Sequence, residues 1–338
     1  MEKYISALLG EIEEYGSDYG EYTFNTVYFG GGTPTLLDAD ELCALLGAIK
    51  AHFKVTKDAE ISVECNPSTA DLVYLKKLRN GGFNRLSLGV QSMNDGELKL
   101  LGRLHKAKDA KEAILLARQA GFDNVSVDVM YGIPDQTLES LTATLAELCE
   151  LDPEHISLYG LKIEDGTHFA KHKNELNLPD EDTEYEMYVS STRFLEKMGY
   201  EKYEISNFAK GKAYSKHNLK YWLREDYLGL GLAAHSCIGA NRFSNTTDIE
   251  KYFLGDKIDT NEIVSNHDIL CEKIMLGMRL SRGVDFSLLG KNADQYKNRL
   301  EKFIPSNHVI KKDNTLSFND DGMYISNYIL SEALDFDE

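Results

Sequence analysis

Between Tyr22 and about Gly160 the chain alternates short runs rich in β-branched and aromatic residues with longer amphipathic runs. The pattern predicts strands at residues 26–29, 60–64, 85–89, 125–130 and 155–161, and helices at 40–52, 70–80, 109–120 and 138–148. Several of these helices are preceded by Asp, Ser or Thr or closed by Gly, and the helix at 109–120 runs into Gly121, where a C-terminal cap belongs. Strands alternating with helices in this rhythm make a parallel sheet wrapped by helices.

The rhythm stops after Leu161. A polar stretch at 164–184 leads to a helix at 184–198 and an aromatic-rich segment at 200–227. The last part reads as helices at 268–280 and 292–303, then a hairpin pairing 309–311 with 315–317 around Asp313-Asn314, similar to a small winged-helix appendage. The expected organisation is a core over 1–165, a flanking region over 166–247 and a helical C-terminal region over 248–338.

Composition narrows the classes. At 338 residues the chain is long enough for a substantial core, and its net charge of −18 repels phosphate backbones and anionic headgroups, so nucleic acid is not the expected partner. No window is apolar enough for a membrane span and the first residues lack a signal peptide's pattern, which predicts a cytoplasmic protein. The five cysteines, Cys43, Cys65, Cys149, Cys237 and Cys271, are odd in number and far apart, which writes neither a disulfide framework nor a CxxC knuckle.

In a parallel α/β fold, ligands gather at the carboxyl ends of the strands. Four successive predicted strands end in polar or glycine-rich clusters: Gly30-Gly31-Gly32-Thr33-Pro34, Glu64-Cys65-Asn66-Pro67, Gln91-Ser92, and Asp128 through Pro134. Three consecutive glycines permit positive φ and let backbone N–H groups approach a ligand, although a glycine-rich turn alone is also ordinary structure. The spacing fits neither GxGxxG nor the GxxxxGK[ST] phosphate loop.

The full string Val27-Tyr28-Phe29-Gly30-Gly31-Gly32-Thr33-Pro34-Thr35-Leu36-Leu37 resembles the radical S-adenosylmethionine (SAM) proteins related to oxygen-independent coproporphyrinogen III oxidase. The resemblance continues through Leu88-Gly89-Val90-Gln91-Ser92, Leu101-Gly102-Arg103-Leu104-His105, Asp128 through Pro134 and Tyr203-Glu204-Ile205-Ser206-Asn207-Phe208-Ala209. It implies a partial (β/α)6 radical-SAM barrel of α/β class that lacks its first strand. It also implies SAM contacts at Gly31, Gly32, Thr33, Glu64, Gln91, Arg103, Asp128 and Met130. The chemistry is consistent, because SAM presents an ammonium, a carboxylate, a sulfonium and ribose hydroxyls, which call for carboxylates, a guanidinium and amides.

In that family three cysteines of a CxxxCxxC motif hold a [4Fe–4S] cluster whose open iron chelates SAM and delivers the electron that makes a 5′-deoxyadenosyl radical. This sequence opens on what looks like the helix after the cysteine loop. The expectation is therefore that this chain carries no ligands for the cluster and does not support one, and Cys65 alone cannot replace three thiolates.

One motif remains, His217-Asn218-Leu219-Lys220-Tyr221-Trp222, with the sole Trp of the chain, followed by a glycine-rich run to His235. An imidazole beside Tyr and Trp offers an iron ligand and a flat apolar wall, and a hydrogen-bonded histidine in an aromatic cluster would be written the same way. HNxxYW resembles the signature of the HemW-type haem-chaperone branch, which implies haem binding at His217, Tyr221 and Trp222, with His235 and His105 as weaker candidates. The resemblance thus implies a cytoplasmic protein that binds haem or porphyrin and SAM and delivers haem to haem-accepting respiratory proteins. The alternatives are a coproporphyrinogen III dehydrogenase, or a cluster-free or truncated relative.

Overall fold

A computed structural model describes residues 2–336. Seven strands form one sheet in the order β1-β2-β3-β4-β5-β7-β6: β1 (Thr23–Phe29), β2 (Lys54–Cys65), β3 (Arg85–Gln91), β4 (Val125–Tyr131), β5 (His155–Gly160), β6 (Glu201–Lys202) and β7 (Asn207–Ala209). Strands β2 to β5 pair in parallel, with helices in the crossovers, and β7 turns back antiparallel on β5. This is the helix-wrapped parallel sheet expected from the alternation and the partial barrel implied by the resemblance, and each of its first five strands overlaps a predicted one. The chain divides into two compact units, one of Tyr28–Asp40 and Ile61–Tyr214, the other of Met1–Val27, Glu41–Glu60 and Ser215–Glu338.

In the first unit, Leu86, Leu88, Val90, Val125, Val127, Val129, Ile156 and Leu158 are buried, together with Leu75, Leu78, Ala113 and Ile114 of the helices. The alternate residues are polar, and the register puts them side by side: Glu64 faces Ser87, Ser87 faces Ser126, Ser126 faces His155, and Asp128 faces Ser157. Parallel strands covered on both faces usually read as unbroken apolar runs, so this alternation marks one face as something other than core. At its lower end His155 is tied on both ring nitrogens, to Ser126 Oγ at 2.8 Å and Tyr203 OH at 2.8 Å. Burial holds its pKa well below the usual histidine range, so the ring is neutral.

The second unit holds helix Glu2–Tyr19, two antiparallel sheets and the C-terminal helices. One sheet is β8 (His235–Ile238), β9 (Asn241–Asn245) and β10 (Ile258–Ile263); the other is β11 (Val284–Asp285), β12 (Val309–Lys312) and β13 (Thr315–Phe318). The expected hairpin is the β12–β13 pair, with Lys312 facing Thr315. The carboxylate of Glu11 is buried and accepts three hydrogen bonds, from Gly231 N (2.7 Å), Asn245 Nδ2 (2.6 Å) and Tyr252 OH (2.6 Å). Buried Glu272 accepts from both Arg224 Nε (2.7 Å) and Arg242 Nη1 (2.6 Å). No described helix is long and apolar enough to cross a membrane.

Candidate functional site

The polar face of the first unit culminates at the strand ends. Tyr28, at the end of β1, donates its hydroxyl to Glu64 Oε1 at 2.8 Å. A Cβ on Gly30 would lie 2.5 Å from the Tyr28 ring and 2.7 Å from Glu64 Oε1, so this glycine is needed for space. Gly31 is needed for conformation, with φ of 94°, and added Cβ atoms on Gly31 and Gly32 would meet nothing within 4 Å. The next loop is fastened beneath: Thr35 Oγ1 bonds Thr69 Oγ1 at 2.8 Å and accepts from Asn66 N at 3.3 Å.

Asp128 lies between strands, accepting from Ser87 Oγ at 3.4 Å. Burial pushes its carboxyl up to about 6, against hydrogen bonding from Ser157 and reinforced by the Glu64 charge. Glu204, fully buried, is pushed by burial up to about 7; one oxygen accepts from Ser206 N at 3.0 Å and the other has no hydrogen-bond partner. Burial also raises the hydroxyls of Tyr28 and Tyr159, which feel the Asp128 charge. The set is an acid-rich face, exposed at Tyr159 and half-buried at Tyr28, Glu64 and Asp128, suited to a ligand carrying positive charge and hydroxyl donors.

Gln91 ends β3 with φ of 70°, where the pairing with β4 shifts register between Leu88 and Gln91. A buried non-glycine residue in that conformation is strained, a state proteins keep where a side chain must be aimed. Thr33 and Met130 are half-buried, and Arg103 is exposed after Gly102. Among the described residues no hydrogen bond or ion pair joins its guanidinium to Glu64 or Asp128. Sequence reasoning placed Gly30 in the glycine-rich cluster but gave no role to Tyr28, Ser87, Ser157, Tyr159 or Glu204; for Ser87 and Ser157 the signal was the polar alternation within β3 to β5.

The second group lies in the other unit, on helix Lys216–Trp222. Ser215 caps it, accepting from Asn218 N at 3.3 Å, while buried Glu60 accepts from the backbone of Lys216 (3.2 Å) and His217 (3.0 Å). Two acceptors on the first turn satisfy otherwise orphan N–H groups and complement the helix dipole. The His217 ring is bonded at both nitrogens, Nδ1 to Thr26 Oγ1 at 2.9 Å and Nε2 to Tyr221 OH at 2.8 Å. Burial first, and then the Lys220 charge, lower its pKa to about 4, so it is neutral and a lone pair is available to one partner. Tyr221 stands edge-on to both His217 and Tyr227, with ring centroids 5.2 and 4.7 Å apart. Trp222, the last residue of the helix, is half-buried. His235 is exposed at the start of β8, whereas His105 is buried with Nε2 at 3.1 Å from Val90 O.

With this geometry in view, comparison with known proteins is informative. Residues 2–148 match the model of the Radical SAM superfamily. A curated Bacillus subtilis protein, heme chaperone HemW, is 38% identical over 315 residues, covering 90% of this chain and 82% of its own. The chain belongs to the HemW family. A second HemW, from Haemophilus influenzae, is 32% identical over 337 residues, covering 96% of this chain and 87% of its own. The solved structure of Escherichia coli coproporphyrinogen III oxidase (HemN), a radical SAM enzyme, superposes with a TM-score of 0.84 at 24% identity, over 98% of this chain and 82% of that one. The shared fold is thus that of HemN.

Radical SAM membership implies SAM and a [4Fe–4S] cluster as the family's groups. The strand-end residues fit SAM: open space beside Gly31 and Gly32 and half-buried carboxylates at Glu64 and Asp128. Of the five cysteines, four are buried and Cys43 is half-buried, and burial pushes the Cys65 and Cys149 thiols up to about 11. Among the described residues no three of His, Cys, Asp and Glu converge as a metal site.

Proposed function

We propose that this HemW-family chain is a cytoplasmic haem chaperone, binding haem as cargo on the face of helix Lys216–Trp222 and SAM at the strand ends of β1 to β4. The observation that carries the reading is identity of 38% and 32% to proteins named as haem chaperones, over nine-tenths of the chain or more. His217, Tyr221 and Trp222 share one short helix whose first turn is fixed from two sides, giving a rigid edge against which a porphyrin face stacks. The recipients fitting this role are haem-accepting respiratory proteins.

At the strand ends, Gly31, Gly32 and Thr33 would meet the amino-acid end of SAM, Glu64 its ammonium, Asp128 a ribose hydroxyl and Met130 the adenine. Gln91 would offer its amide and Arg103 would pair with the SAM carboxylate when its exposed side chain closes. With a reducing cluster beside it SAM would supply radical chemistry; this chain's own residues would bind and orient the nucleoside at the acidic face.

Haemin titrated into the full chain, followed by its Soret band, tests the cargo reading. Saturation at one haem per chain is expected, and a triple variant His217→Ala, Tyr221→Phe, Trp222→Phe should lose that saturable site; unchanged stoichiometry in the variant would remove the reading. Calorimetry with SAM tests the other site. Arg103→Ala should lose about 1.5 to 3 kcal/mol of binding, the worth of a hydrogen bond to a charged group, and equal heats for both proteins would count against this assignment.

A further inference from the structure

The geometry points to the phenol oxygen of Tyr221, with His217 as its hydrogen-bond partner, as the group that ligates a ferric haem. This rests on the haem reading of the same helix and says which atom meets the iron. Both nitrogens of His217 are engaged, Nδ1 with Thr26 Oγ1 at 2.9 Å and Nε2 with Tyr221 OH at 2.8 Å. Iron reaching Nε2 would first have to expel the tyrosine hydroxyl, and the helix turn carrying His217 is held through its backbone N–H by Glu60 at 3.0 Å.

Tyr221 sits one turn further along the same face, as i and i+4 residues do, and is 40% exposed where His217 is half-buried. Tyr227, perpendicular to it at 4.7 Å, buttresses the phenol ring from the other side. Of the two candidate ligands, the one already presented to an incoming porphyrin is therefore the phenol. Tyrosine is an established haem ligand type, and a hard oxygen anion prefers ferric to ferrous iron.

On binding, the Tyr221 O–H bond breaks, the oxygen donates a lone pair to ferric iron, and the proton leaves to the solvent that the exposed phenol already faces. Nothing is oxidised or reduced in that step. His217 is then a positioning residue that polarises the phenol, and Thr26 fixes which ring nitrogen faces it. Reduction of the bound iron should weaken the Fe–O bond and so favour release.

Resonance Raman spectroscopy of the ferric haem complex of the full chain tests this directly. Tyrosinate–iron vibrations are expected in the wild type and in His217→Ala, with the latter binding haemin about two- to tenfold more weakly through loss of one hydrogen bond. Tyr221→Phe should abolish those vibrations and displace the Soret band. If the wild type shows no tyrosinate bands, or if Tyr221→Phe keeps the wild-type spectrum while His217→Ala loses it, the imidazole is the ligand and the inference is overturned although the haem site stands. If neither variant alters spectrum or stoichiometry, haem binds elsewhere and both readings fall. Dithionite reduction gives an independent arm: equal affinity for ferric and ferrous haem would also overturn it.

Discussion

Two carboxylates from each unit are satisfied to different degrees, although Glu97 of the half-barrel unit, with Ser92, Gln136 and Ser140 as donors, resembles the better satisfied pair. In the unit containing the N-terminal helix, Glu11 accepts three hydrogen bonds and Glu60 two, and every listener is a backbone or side-chain donor held in place. In the half-barrel unit, half-buried Asp128 accepts a long bond from Ser87 and a bond from Ser157, and buried Glu204 keeps one oxygen without a partner. A saturated buried carboxylate stabilises the fold and has nothing left to offer a ligand. An unsaturated one costs stability and keeps its capacity for a donor that arrives later. The contrast separates a carboxylate with every acceptor position used from one with acceptor capacity left over.

The largest expected effect tests the saturated side. Glu11→Ala leaves the donors of Gly231, Asn245 and Tyr252 without their acceptor and should lower unfolding free energy by about 3 to 5 kcal/mol in denaturant titration. A change below about 1 kcal/mol would erase the contrast. Next comes Gly30→Ala, whose new Cβ lies 2.5 Å from the Tyr28 ring. It should lose about 1 to 3 kcal/mol by overpacking and weaken SAM binding by displacing Glu64, read by thermal unfolding and calorimetry together.

The smallest effect is a slope. The raised folded-state pKa values, about 6 for Asp128 and about 7 for Glu204, mean that the native protein holds protons the unfolded chain has already released. These two groups therefore make stability fall as pH rises from about 4 to about 7. His217, lowered to about 4, acts in the other direction, its contribution growing between about pH 4 and its ordinary value of about 6.5. The double variant Asp128→Asn, Glu204→Gln should therefore gain on the wild type across that window, in a stability difference measured pH by pH. A flat difference would mean that neither acid is dry.

Much of this was legible from residue order. The five strands and four intervening helices follow the apolar periodicity, because covered strands and amphipathic helices leave strong local signals. The pairing of His217 with Tyr221 is a helix spacing, visible once residues 216–222 are drawn as a helix. The roles of Tyr28, Tyr159 and Glu204 were not legible. They converge only because β1, β5 and the β6–β7 turn share a sheet, and register between strands distant in sequence is written in no local pattern. Nor did the sequence disclose that Thr26 and Glu60 hold His217, since they lie 191 and 157 positions away.

The sheet rims bear on behaviour at high concentration. Strand β6, at one end of the seven-stranded order, is only two residues long and carries Lys202, while β10 borders its own sheet with six exposed residues, Asp259 and Glu262 among them, and a register break after Ile258. A neighbouring chain seeking to extend either sheet finds too short a template at the first and a bent, acidic one at the second. Both rims therefore discourage edge-to-edge polymerisation, which matters for a protein whose proposed cargo is a flat, sticky, aggregation-promoting disc.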